Sequence, residues 1–147
     1  MATRPNIVLI ITEQHRGDCL GIDGHPVLTT PTMDNIAARG IRFTRAYTTC
    51  PTCIAARRSI LSGQFPSTHG MVGYRDGVEW HNVPTTLPQA LSKAGYHTYL
   101  AGRSMHQSPG LKRYGYQHMV MTHPDYDDWL AREVPHGGGW RGSGIMN

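Results

Sequence analysis

The segment Cys50-Pro51-Thr52-Cys53-Ile54-Ala55-Ala56-Arg57 sets two thiols in a C-x-x-C spacing and a guanidinium four residues after the second. That spacing admits three chemistries. A redox pair needs a thioredoxin-like setting, and a zinc half-site needs a second ligand pair, yet the chain holds no second C-x-x-C. The third reading begins with Pro51 and Thr52, which come just before a predicted helix. Cys53 then stands where free backbone N–H groups and the helix dipole favour an anion. Arg57, at i+4, shares its face. A reactive group at 53 would therefore work beside fixed positive charge.

The elements that must position these residues read as alternating strands and helices. Ile7–Ile11 is a continuous apolar, mostly β-branched run, the pattern of a strand covered on both faces in a parallel sheet. Residues 30–40 carry an N-cap Thr, a Pro at the first helical position, a basic last turn and a closing Gly, which predict a helix. Residues 41–47 alternate apolar and polar as a strand does. A second helix is expected from Cys53 to Ser62, ending at Gly63. A third is expected over 86–94, closing on Gly95 and leading into a strand at 96–100. Such alternation suggests βαβ units. The stretches 64–85 and 101–125, rich in Gly, Pro, His and Ser, read as long loops. Asp125, Asp127 and Asp128 beside Trp129 read as the N-terminal charges of a short helix. The stretch 135–144 shows no closing strand or helix, which reads as an interruption of a longer domain.

Composition narrows the class. Hydrophobic residues are 39% and charged residues 16%, with 17 Gly and 10 Pro, so the chain reads as one loop-rich globular domain or part of one. The net charge of +4 comes from cations scattered along the chain. Arg suits bidentate binding of oxyanions, so a small anionic substrate is expected and a nucleic-acid partner is not. No apolar run approaches the roughly 20 residues needed to cross a bilayer, and no export signal is recognisable. With three cysteines, an odd number, this predicts a reducing, cytoplasmic location without a disulfide framework. His15, His25, His69 and His81 have no ligand spacing that assigns them a role.

Three segments resemble the sulfatase family. Cys53-Ile54-Ala55-Ala56-Arg57 fits its signature of Cys, any residue, Pro or Ala, any residue, Arg, followed by an apolar helix and a Gly-x-x-Pro exit at 63–66. Pro5 to Asp18 resembles its opening segment, with Glu13 and Gln14 where the family usually has Asp. Gly102-Arg103-Ser104-Met105-His106 resembles its Gly-Lys-x-His element, with Arg for Lys and one more residue before His. The carboxyl edge of a parallel sheet, where Glu13 is expected, is where α/β proteins place ligands.

The resemblance implies an alkaline-phosphatase-like α/β sandwich around a central, mostly parallel sheet, incomplete in this chain. Residues 1–147 would form the amino-terminal portion of the catalytic domain. It further implies that Cys53 is oxidised by a formylglycine-generating enzyme to a hydrated aldehyde, which supplies the nucleophile. Arg57, Arg103 and His106 would serve catalysis. Glu13, Gln14 and the modified Cys53 would hold a divalent metal, calcium by family, with magnesium or manganese as alternatives. The implied reaction is hydrolysis of a sulfate ester. Hydrolysis of phosphate or phosphonate esters is an alternative. So is a non-catalytic oxyanion- or metal-binding fragment.

Overall fold

The computed structural model describes residues 4–133; the Gly-rich stretch 135–144 lies outside them. The chain divides into two compact units, residues 1–46 and 47–147.

In the first unit the described structure is a 3₁₀ turn, Gly21–Asp23, and helix α1, Pro31–Arg39. The expected helix is present, but Thr30 does not cap it through its side chain. Its hydroxyl accepts from Gly21 N (2.8 Å) and donates to Asp34 Oδ1 (2.8 Å), while Asp34 also receives Ile22 N (3.0 Å). The threonine thus ties the 3₁₀ turn to the helix start. An ion pair between Arg42 and Asp23 adds a second tie.

Both strands expected in this region are corrected. Ile7–Ile11 and residues 41–47 pair with no strand among the described residues. Ile7 to Ile11 are 43–80% exposed, and Phe43 is 79% exposed. A strand exists only through hydrogen bonds to a neighbour, so an apolar, β-branched run without one is not a strand.

The second unit is organised around helix α2, Cys53–Ser62. Ile54, Arg58 and Leu61 recur at i, i+4 and i+7 and, with Ala55, are its buried residues, a stripe facing the core. Leu61 packs with Trp80, Met105 and Tyr114, and Ile54 and Ala55 with Met71. The helix ends as expected at Gly63, in the left-handed region (φ 67°), whose N–H bonds Ser59 O at 2.8 Å. Within the expected loop 64–85 lies one further helical turn, α3, Pro66–His69.

Helix α4, Leu87–Lys93, has the capping box that α1 lacks. Thr86 accepts from Gln89 N, and Gln89 Oε1 accepts from Thr86 N at 3.0 Å. The Thr86 hydroxyl also donates to Tyr114 O, burying the side chain fully.

Strand β1, Tyr99–Gly102, starts later than expected because the backbone of Thr98 is occupied. Its N–H donates to Gln117 Oε1 (3.0 Å), and its carbonyl accepts from Gln117 N and His118 N, both at 3.1 Å. Strand β2, His118–Met121, falls inside the expected loop 101–125 and pairs parallel with β1, Tyr99 opposite His118 and Gly102 opposite Met121. The α/β class and the parallel sheet expected from the sequence are present, with two strands among the described residues. After β2, a π-helical turn at Thr122–Tyr126 leads into helix α5, Asp127–Glu133. Asp127 and Asp128 fall in its first turn, while Asp125 accepts from Met121 N at 2.8 Å. Among the described residues no helix is long and apolar enough to cross a membrane.

Candidate active site

Cys53 is the first residue of α2. Thr52 before it has extended backbone (φ −122°, ψ 140°), and its carbonyl accepts from Ala56 N at 2.9 Å, so the helical ladder begins at the thiol. The first backbone N–H groups of the helix lack intrahelical partners, and no side chain of Thr52 caps them. Cys53 is half-buried and a free thiol. Cys50 meets the residue before this helix, its Sγ 3.3 Å from Thr52 Oγ1. Hydrogen bonding from Thr52 and from the Gly73 backbone holds the Cys50 thiol below its usual pKa.

Arg57, one turn along, reaches across to the segment that follows β1, its Nη1 donating to Ser104 O at 3.4 Å. That segment leaves the carboxyl end of β1 through Gly102, at φ 101°, a conformation open to glycine without strain. Arg103 is exposed on it. His106 follows at φ 52°, a left-handed conformation that costs a non-glycine residue about 1–3 kcal/mol and persists only where the surroundings enforce it. Its neighbours Met105 and Gln107 are both 5% exposed and supply that constraint.

The His106 ring is held between two different environments. Nδ1 is buried without a hydrogen-bond partner among the described residues, whereas Nε2 lies 3.6 Å from Asp76 Oδ1, and Tyr74 meets the ring edge-on at 5.7 Å. Asp76 is 71% exposed, so water screens this pair. Ile54, Asp76, Ser104, His106 and Gln107 contribute to the wall of a cavity of about 320 Å³. Ile54 lines it and Cys53 does not. It mixes charge, hydroxyl and backbone groups, which suits a small polar ligand.

Beneath α2 lies a polar cluster. Arg58 is 3% exposed, stacks over Trp80 at 4.7 Å and donates Nε to Gln107 Oε1 at 2.9 Å. Burial holds its pKa below the usual value. Ser59 bonds His69 Nε2 at 2.9 Å, and His69 Nδ1 accepts from Met71 N at 3.3 Å, which fixes the proton on Nε2.

The six residues expected to form a site therefore divide. Cys53, Arg57, Arg103 and His106 lie in the second unit, where the Arg57–Ser104 bond joins the helix to the segment bearing Arg103 and His106. Glu13 and Gln14 lie in the first unit, both exposed, with Gln14 at φ 52°. Their donors, a carboxylate and an amide oxygen, fit a hard cation such as calcium, which takes six to eight oxygens. Two donors would be only part of such a shell, and no cluster of three or more His, Cys, Asp or Glu is present among the described residues. Sequence reasoning passed over Asp76, Gln107 and Arg58. Only Arg58 had a legible signal, as a charge on the apolar stripe of α2.

The sequence profile described as Sulfatase matches residues 5–138. The chain belongs to the sulfatase family. Similar proteins include an arylsulfatase of Clostridium perfringens, 48% identical over 84% of this chain and 25% of its own length. Human arylsulfatase A is 37% identical over 70% of this sulfatase chain and 21% of its own. The chain spans about a quarter of the length of the first of these relatives. Among solved structures, the phosphonate monoester hydrolase of Agrobacterium radiobacter superposes with a TM-score of 0.77 at 27% identity, over 93% of this chain and 30% of that one. A structure in complex with its substrate D-glucosamine-2-N,6-O-disulfate gives 0.69 at 30% identity, over 80% and 23%. Both likenesses support the α/β, alkaline-phosphatase-like class of this sulfatase chain.

Proposed function

We propose that this chain is the amino-terminal portion of a metal-dependent sulfate-ester hydrolase whose nucleophile is made from Cys53. The observation that carries the reading is the position of Cys53 as first residue of α2, with Arg57 one turn along and bonded to the segment of His106. When present, formylglycine at 53 supplies a nucleophilic oxygen, and a hard divalent cation neutralises charge beside it. Around that centre the free N–H groups of the helix start bind the sulfate oxygens. Arg57 and Arg103 add fixed positive charge that stays protonated throughout, since a guanidinium does not give up its proton. His106 is the group able to move a proton to the departing alcohol oxygen. Glu13 and Gln14 would be oxygen donors for such a cation. The partners in this reading are a small anionic ester and a formylglycine-generating enzyme. The odd number of cysteines, three, is the ground for placing its action in the reducing cytoplasm, which cell fractionation would test.

Peptide mass spectrometry of the protein made by its own host should show Cys53 lighter by about 18 Da. The complete enzyme, of which these 147 residues in isolation would be inactive, should hydrolyse 4-nitrophenyl sulfate, and Cys53→Ala should lower the rate by about 10⁴-fold or more. An unmodified thiol together with tight sulfate binding would instead indicate an oxyanion-binding fragment. The likeness to a phosphonate monoester hydrolase favours a second reading, hydrolysis of phosphonate or phosphate esters by the same groups. A higher kcat/KM for phenylphosphonate esters than for sulfate esters would establish it.

A further inference from the structure

Gln107 has every side-chain hydrogen-bonding group in use inside the protein. Its Oε1 accepts from Arg58 Nε at 2.9 Å, and its Nε2 donates to Ile54 O at 2.9 Å and Met105 O at 3.1 Å. An amide buried to 5% exposure is tolerated only when so satisfied. Two of the three bonds run to α2, one to the carbonyl of the residue after Cys53 and one to a guanidinium one turn further. The third stays within the segment that carries His106. Between Met105 and Gln107, His106 adopts its left-handed backbone. The same segment is joined on its other side by Trp80 N donating to Ser108 O at 3.2 Å, and Trp80 in turn covers Arg58.

We propose that Gln107, anchored by Arg58, is a positioning residue that sets His106 against the first turn of the Cys53 helix. It touches no reacting atom; it acts through the backbone on either side of His106. The consequence for catalysis rests on the reading of Cys53 and His106 given above.

A double variant, Arg58→Met with Gln107→Met, separates positioning from stability. It removes both buried polar partners together, a change that costs far less than leaving one of them unpaired. In the protein as its host produces it, amide hydrogen exchange of peptide 103–108 should rise about tenfold or more, while that of α4 stays unchanged. With 4-nitrophenyl sulfate, kcat should fall about tenfold or more while KM moves by less than about threefold. Unchanged exchange at 103–108 in a folded variant overturns the proposal, whatever the protein hydrolyses. Raised exchange with unchanged kcat overturns the catalytic consequence. A wild-type protein that hydrolyses no sulfate ester disproves the functional reading, yet exchange still decides whether Gln107 holds the segment.

Discussion

Ile7–Ile11 is wholly apolar and Cys53–Ser62 is amphipathic, yet the residues of the first are 43–80% exposed while Leu61 of the second is 1% exposed. A helix satisfies its backbone internally and needs a partner for one face only. A strand needs a neighbour for its backbone and, in a parallel sheet, cover for both faces. Residues 47–133 supply α2 with Trp80, Met105 and Tyr114. No described residue pairs with 7–11. The two runs therefore differ in how much of their structure is local.

The sharpest way to break this comparison is to truncate one residue in each run. In this 147-residue chain Leu61→Ala should cost about 2–5 kcal/mol, whereas Leu9→Ala, at an exposed position, should stay within about 0.5 kcal/mol. Urea unfolding would read both, and equal losses would show that 7–11 is packed after all.

The two helix starts give the next contrast. Thr86→Ala removes a capping box and leaves the Tyr114 carbonyl without its donor, for a loss of about 1–3 kcal/mol. Thr30→Ala removes a partly buried tie between the 3₁₀ turn and α1 and should cost about 0.5–1.5 kcal/mol. A reversed order in thermal unfolding would contradict the roles assigned to the two hydroxyls.

The smallest effect concerns pH. Burial, reinforced by Arg58, holds His69 below the ordinary histidine pKa, and Nδ1 accepts a backbone N–H that protonation would oppose. The unfolded chain binds the proton more readily. The contribution of His69 to stability is therefore complete above about pH 6.5 and declines as pH falls toward the lowered value. His69→Gln should flatten that part of the stability profile; an unaltered slope would show that another group titrates there.

Much of the second unit was legible because its signals are local. Gly63 closes α2, and Thr86 with Gln89 opens α4, since caps and left-handed glycines act within a turn of their own position. Strand β2 was not legible. Its four residues, His118-Met119-Val120-Met121, lack strong strand propensity and become a strand by pairing with β1. The same limit applies to the site. Cys53 and Arg57 lie one helical turn apart in any helix, so their shared face was readable. The approach of Ser104 to Arg57, of Asp76 to His106 and of Gln107 to Arg58 spans loops whose paths no local rule sets.

By itself the sequence determined helices α1, α2 and α4, the place of Cys53 at a helix start and the resemblance that named the family, because each depends on residues within a few positions of one another. Only the tertiary structure decided that Arg58 is a buried cation, that Gln107 answers it, and that His106 faces Asp76 from a left-handed backbone. Those contacts join residues far apart in the chain. Their energies depend on burial, which no stretch of sequence carries alone.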